Sequence, residues 1–409
     1  MDMVDIELIK RIEQDSLHIS CVQDVVPPQM TNEQINEKYA KGEVRIVTEQ
    51  ARYPLETIRG LINGGKYILR PDFQRRHRWD IVKQSRLIES FIINIPIPPI
   101  FLYEREFSVY EVMDGLQRIT AIKDYYDDKY ALTGLTVWPE LNGKKYSELP
   151  LQVKSGIDRR YLSSIILLKE TAKNETEAEK LKQMVFERIN SGGAKLEYQE
   201  SRNALYPSRF NETIIELARN PYFCEIFDIP QTTDDEDLKS DLYSEELKNN
   251  YLFQSMKDVE TVLRFFAMRQ FSSWGSIPLS KFLDSFADEA RHLPDDIIPL
   301  YAELFENTIE LAYQLFDDHA FCLWKYEKRI NSCRWNKKPN MVVYDPIMYV
   351  LSGMLGSREE LLSQKVIINE ELKTLFEENQ ELFNGRNTSR IYVENRISLF
   401  ERFFNRFLK

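Results

Sequence analysis

The chain has 409 residues, 43% hydrophobic and 12% aromatic, enough to bury a sizeable core and, by length, to suggest two domains. A formal net charge of -11 argues against a generally basic nucleic-acid coat, so any contact with nucleic acid has to use a local patch. Cys21, Cys224, Cys322 and Cys333 are scattered, as are His18, His77, His292 and His319; this argues against a structural zinc site and for free thiols in a reducing cytosol. No run approaches the roughly 20 apolar residues of a membrane span. The opening MDMVDIELIKRIEQD is acidic and amphipathic rather than a signal peptide, so a cytoplasmic protein is expected.

Residues 1–50 are polar and mixed, and read as a short arm with some helix. Leu55, Ile58, Leu61 and Ile62 recur at helical spacing, and Asn63-Gly64-Gly65 ends that helix. Tyr67-Ile68-Leu69 reads as a strand entering the loop RPDFQRRHRW, after which Trp79-Asp80 starts a helix running through Ile93. The turn IPIPP (95–99) leads to the strand IFLYE (100–104), and the four-residue connection REFS suits a hairpin to VYEVM (109–113). DGLQR then opens a helix to about Tyr126. Strands are predicted at Ala131–Val137 and 161–169, a helix at 175–189, and a loop at NSGGAKL. From Glu197 the pattern is helical almost throughout, notably at 252–271, 280–291, 297–316 and 359–378, with the acidic TTDDEDLKSD (232–241) as a surface loop. The fold class is therefore α+β: an arm (1–50), a small mixed-sheet domain (51–195) and a mostly helical domain (196–409).

Three stretches carry candidate chemistry. In VYEVMDGLQRITAI (109–122) a strand ends in Asp-Gly and runs into a helix, which aims backbone N–H groups and the positive dipole end at an incoming anion. Gly115 permits close backbone approach, Arg118 can grip phosphate, and Asp114 could hold Mg²⁺ or orient a water. The bland alternative is that Asp114 only N-caps the helix. Between Lys66 and Arg86 lie seven cations against Asp72 and Asp80. This basic focus suits phosphate from a nucleotide or from nucleic acid, or is a solvated loop. Gln74 and Arg75 stand out in it, between Phe73 and Trp79, while Arg76 and Arg78 are candidate DNA contacts. In FERINSGGAKLEYQESRNALY (186–206), Asn190, Gly192 and Gly193 could form an anion nest or merely terminate a helix. No P-loop and no G-x-S-x-G element is present.

Taken in order, RPDFQRRHRW, IPIPPIFLYE, YEVMDGLQRITAI and FERINSGGAKLEYQESRNALY resemble family 262 of the domains of unknown function, the N-terminal module of GmrSD-type restriction proteins. The resemblance covers residues 50–210. It implies a ParB/sulfiredoxin-like mixed sheet with a nucleotide site, linked to NTP binding or hydrolysis and to bacterial defence against foreign, often modified, DNA. Asp114, Gly115, Gln117 and Arg118 match the family's D-G-Q-Q-R motif, Gln74 and Arg75 its upstream Q-R, Asn190, Gly192 and Gly193 its asparagine-glycine segment, and Arg202 with Asn203 the R-N that follows. Position 116 departs, being Leu where the family has Gln. If that position faces a ligand, hydrolysis is weakened; if it faces the core, the change is harmless. The paired histidines of the family's C-terminal His-Asn-His nuclease have no counterpart in the last 200 residues, which contain only His292 and His319.

These readings lead to an expected Mg²⁺-dependent NTPase acting as sensor or regulator in DNA-directed defence. Its expected catalytic residues are Asp114, Gln117 and Arg118, with Asp114 as metal ligand. Gln74, Arg75, Gly115, Asn190, Gly192 and Gly193 would hold nucleotide and phosphate. Its expected partners are a nucleotide, DNA, and a separate effector or nuclease subunit. A DNA-binding module without turnover and a DNA-nicking enzyme at DGLQR are the alternatives.

Overall fold

Apolar runs rich in β-branched and aromatic residues open Ile100–Glu106 (β3) and Val109–Asp114 (β4), and the computed structural model pairs them as an antiparallel hairpin. The strands run further than the sequence pattern indicates. The connection is only Phe107-Ser108, with Ser108 at φ 60° and Phe107 fully in solvent. Register shifts at Phe101/Leu102 and Glu104/Glu106 bend the ladder. The structure describes residues 30–41, 46–69, 79–172, 174–190, 197–231, 243–327, 331–383 and 389–408. The chain divides into two compact units, one of residues 27–196 and one containing 197–409.

In the first unit, β3 and β4 are joined by β1 (Thr48–Pro54), β2 (Tyr67–Ile68) and β5 (Tyr161–Leu167) in the order β1-β5-β3-β4-β2. The β1/β5 and β3/β4 pairs are antiparallel while β3/β5 and β2/β4 are parallel, so the sheet is mixed. Its two edges meet. Tyr53 on β1 and Tyr67 on β2 touch edge to face with ring centroids 5.7 Å apart, and Tyr110 on β4 joins them. Four strand spacings in a flat sheet would hold those edges about 19 Å apart, so this sheet is strongly curled. Helices Leu55–Asn63, Ile81–Ile92 and Leu116–Tyr126 cover it, burying Leu55, Ile58, Ile88, Phe91, Ile119 and Ile122 against Leu102 and Val112. Asp80 caps the second of these helices by accepting the Lys83 N–H at 2.7 Å, as its position before Ile81 predicts.

Two elements differ from expectation. Thr48–Pro54 is a strand, although its polar residues place it in the arm; Thr48, Glu49 and Gln50 face solvent on an edge, so no apolar alternation marks it. Ala131–Val137 is not a strand. Leu132 exchanges backbone bonds with Lys144 and Gly143, but most of the amides that follow bond side chains. The buried Glu89 carboxylate accepts Val137 and Trp138 N–H at 2.8 and 2.9 Å, and Ser85 Oγ accepts Thr133 N–H at 3.0 Å.

The second unit is helical, with a core dominated by phenylalanine, including Phe265, Phe266, Phe286, Phe305 and Phe400. The helix expected over 252–271 is broken at Met256 (φ 52°) into Tyr251–Gln254 and Lys257–Arg269. The one expected over 359–378 divides at Gln364, whose side-chain amide turns away to donate to the Phe407 carbonyl. A short hairpin, Trp324–Glu327 (β6) with Ser332–Trp335 (β7), interrupts the helical pattern. Trp324 and Trp335 face each other across it, a cross-strand aromatic pair that favours strands over helix. TTDDEDLKSD lies outside the described residues.

Candidate functional site

The site is built where β4 ends and the helix Leu116–Tyr126 begins. Asp114 is the last strand residue, and Gly115 takes the N-cap position with φ 96°, a conformation natural to glycine. No side chain caps this helix. The bland alternative for Asp114 is therefore overturned, because its carboxylate does a different job. Its Oδ2 lies 2.6 Å from Arg118 Nη2, one turn along the helix. The other guanidinium nitrogen of Arg118 donates to the carbonyls of Pro98 and, at 3.2 Å, Pro99. Arg118 thus ties the helix start to the proline turn entering β3, and Asp114 fixes its orientation.

Gln117 makes a second tie. Its Oε1 accepts the backbone N–H of Trp79 at 3.1 Å. Trp79 directly follows the Q-R loop in sequence, so this bond brings the end of that loop to the DGLQR turn. Lys83 Nζ lies 4.8 Å above the Trp79 ring, holding a cation at the same corner. Leu116 is 7% exposed and packs within the hydrophobic core of the unit. The departure at position 116 consequently changes an inward-facing side chain, and the open side of the turn keeps its polar groups.

Another tie was legible only as an anomaly, the acid in the apolar run V-Y-E-V-M. Glu111 is buried, and both its oxygens accept from Lys182 Nζ at 2.8 Å. Lys182 also lies 5.4 Å from the Tyr103 ring centroid. These contacts fasten the helix Glu175–Asn190 onto β4, the strand that carries Asp114.

Not every candidate can be placed. Gln74, Arg75, Arg76, His77, Arg78, Gly192 and Gly193 lie outside the described residues, as does the side chain of Asn190 at the end of its helix. Arg202 and Asn203 belong to the second unit, on the helix Tyr198–Leu205, where they serve packing. Arg202 bonds Glu260 at 2.6 Å and Asp284 at 2.9 Å while almost fully buried, and Asn203 accepts from Gln199 at 2.9 Å. The R-N pair is thus an internal fastener of the helical unit.

As a metal ligand Asp114 stands alone. It is ion-paired to Arg118, and among the described residues no group of three or more His, Cys, Asp or Glu could hold a metal ion. The residues present do not fit a protein-made Mg²⁺ cage, so no step is derived through the ion. What the corner offers is a helix N-terminus without a side-chain cap, a left-handed glycine packed against Ile100 and a fixed guanidinium.

No helix among the described residues is long and apolar enough to cross a membrane. No curated protein and no solved structure matches the chain. Residues 58–207 match the family model described as the GmrSD restriction endonuclease, N-terminal domain. That match begins in the first helix after β1 and ends just past the Arg202 helix, so it takes in β2 to β5 of the mixed sheet and the first helix of the helical unit. Over this segment the chain is similar to the GmrSD restriction endonuclease N-terminal domain.

Proposed function

We propose that the DGLQR turn is the phosphate-binding corner of a nucleotide site, in a protein that works in restriction or defence against modified DNA. The second half of this reading rests on the GmrSD domain; the first rests on one observation. A left-handed glycine, uncapped, starts the helix at the point where Gln117 holds the end of the Q-R loop. The first-turn amides of Leu116, Gln117 and Arg118 have no acceptor within the helix and suit an anion. Gly115 allows the left-handed turn to pack against Ile100 and so fixes the direction of these amides. Arg118 supplies a charge whose position Asp114 and the Pro98 and Pro99 carbonyls have already set, so little reorganisation is needed when charge builds on a phosphoryl group. Asp114, partly exposed, is the carboxylate placed to orient an attacking water.

In this reading Gln74, Arg75, Asn190, Gly192 and Gly193 contribute to nucleotide and phosphate binding. Mg²⁺ comes with the nucleotide phosphates rather than as a resident ion, and would supply charge neutralisation there. Arg76 and Arg78 contact DNA, and a separate effector subunit acts on the outcome.

The test is nucleotide turnover and binding across the four NTPs, with wild type beside Asp114→Ala, Arg118→Ala and Gln117→Ala. Loss of turnover in the first two with binding kept in the first supports the assignment. Equal turnover in all four proteins removes it. If none binds nucleotide, and DNA is bound in a salt-sensitive way lost in Arg76→Ala/Arg78→Ala, the chain is a DNA-binding module.

A further inference from the structure

Three helices of the second unit end at one place. Arg269 is the last residue of Lys257–Arg269, Ser352 of Met341–Ser352, and Asn405 of Arg390–Asn405. All three line a single cavity of about 450 Å³, together with Tyr349, Met354 and Glu401. The cavity lies wholly within the helical unit and shares no residue with the DGLQR corner.

The electrostatics of such a convergence have a definite sign. Each helix C-terminus carries a partial negative charge, up to about half a charge. Several end carbonyls are taken, Val350 and Leu351 by the Gly353 and Met354 amides and Tyr349 by Ser352 Oγ, yet all three ends have the same sign. Glu401 adds a full negative charge to the wall. Against these stands one lining cation, Arg269, whose Nη1 is 2.6 Å from Ser352 Oγ. The two arginines in the final turns of the third helix are directed elsewhere: Arg402 Nε donates to the Ser398 carbonyl, and Arg406 pairs with Glu371. The sum is a negative cavity, which favours a cation.

Size and lining say which kind. One carboxylate is few for a divalent ion. The volume instead falls in the range of small-molecule sites. Val350 and Met354 offer apolar surface and Tyr349 an aromatic face, beside Glu401 and the carbonyl ends. We infer that the cavity at the joined ends of these three helices binds a small aliphatic amine, its ammonium at Glu401 and the helix carbonyls, its methylenes against Val350, Tyr349 and Met354.

The test is calorimetric titration of the full chain with putrescine and spermidine, and separately with MgCl₂, at a fixed ionic strength of about 150 mM to suppress diffuse counterion binding. Two variants probe the site: Glu401→Gln removes the charge, and Ser272→Trp fills the mouth from an exposed position. Glu359→Gln, an exposed acid off the cavity, is the control. Saturable binding of one amine per chain is expected, weakened at least about tenfold by Glu401→Gln and by Ser272→Trp and unchanged by Glu359→Gln. Thermal unfolding of each variant verifies that it is folded, and should Glu401→Gln fail to fold, Ser272→Trp alone decides. Absence of saturable binding, equal loss in the control, or equal affinity for Mg²⁺ would overturn the inference.

Discussion

Replacing Gly115 by alanine tests whether the turn is as constrained as its geometry indicates. A Cβ added there would sit 2.4 Å from Ile100 Cγ2 and 3.0 Å from Ile100 Cβ. Ile100 has no exposed surface, so it has little room to yield. The backbone at φ 96° adds its own penalty, about 1–2 kcal/mol for a side chain in the left-handed region. Overpacking against Ile100 adds about 1–3 kcal/mol, giving roughly 2–5 kcal/mol together. Two other glycines separate the contributions. Gly143, at φ 84° with nothing within 4 Å, bears only the backbone penalty, about 1–2 kcal/mol. Gly60, helical and open, gains about 0.5–1 kcal/mol on becoming alanine. Because a chain of two units need not unfold in one step, the readout is hydrogen-exchange protection of the β3 and β4 amides, supported by urea unfolding. The expected order of stability is Gly60→Ala, wild type, Gly143→Ala, Gly115→Ala. If Gly115→Ala costs no more than Gly143→Ala, the close approach to Ile100 is not a constraint and the argument for a conformationally fixed corner fails.

Glu89→Ala leaves the Val137 and Trp138 amides without their buried acceptor and is expected to cost about 2–4 kcal/mol, with exchange at those two amides accelerated most. Uniform acceleration across the unit would contradict this local role. Arg202→Ala strands Glu260 and Asp284 and should destabilise the helical unit by about 3–5 kcal/mol in urea unfolding. Nucleotide affinity measured below the unfolding transition should stay near wild type, whereas a direct role in the site would abolish it. Burial, with a smaller contribution from Asp318, pushes the Cys322 thiol up to about 11. A raised thiol value keeps the neutral form to higher pH, so at pH 8 only about one molecule in a thousand carries the thiolate. Iodoacetamide should label Cys322 slowly at pH 8 and progressively faster toward pH 11, and labelling at the rate of a free cysteine at pH 8 would refute the burial.

Much of the mixed-sheet unit was written in local pattern. Apolar runs marked β3, β4 and β5, and helical spacing after Trp79-Asp80 marked Ile81–Ile92. Pattern failed where side chains, not periodicity, decided. Leu132 and Leu135 look like strand residues, yet the side chains of Ser85, Asn142 and Glu89 take the Thr133, Leu135 and Val137 amides and no strand forms. Thr48–Pro54 carried no apolar signal because an edge strand can face water. In the helical unit, the breaks at Met256 and Gln364 fall inside continuous apolar spacing and depend on contacts distant in sequence.

The candidate site divides the same way. By itself the sequence determined that an acid, a glycine, an amide and a guanidinium stand at a strand-to-helix junction, because the apolar run ends at Asp114 and glycine stops it. It also carried, over residues 58–207, a similarity to the GmrSD restriction endonuclease N-terminal domain. Only the tertiary structure decided what each group does. Arg118 reaches back some twenty residues to the Pro98 and Pro99 carbonyls, Asp114 pairs with it instead of capping, Gln117 catches Trp79, and Leu116 turns inward. Arg202, equally motif-like in the sequence, is spent on a buried ion pair within the helical unit. The reason is physical: spacing along a chain fixes which residues share a turn, but a hydrogen bond or an ion pair is chosen by what the folded chain brings within about 3 Å.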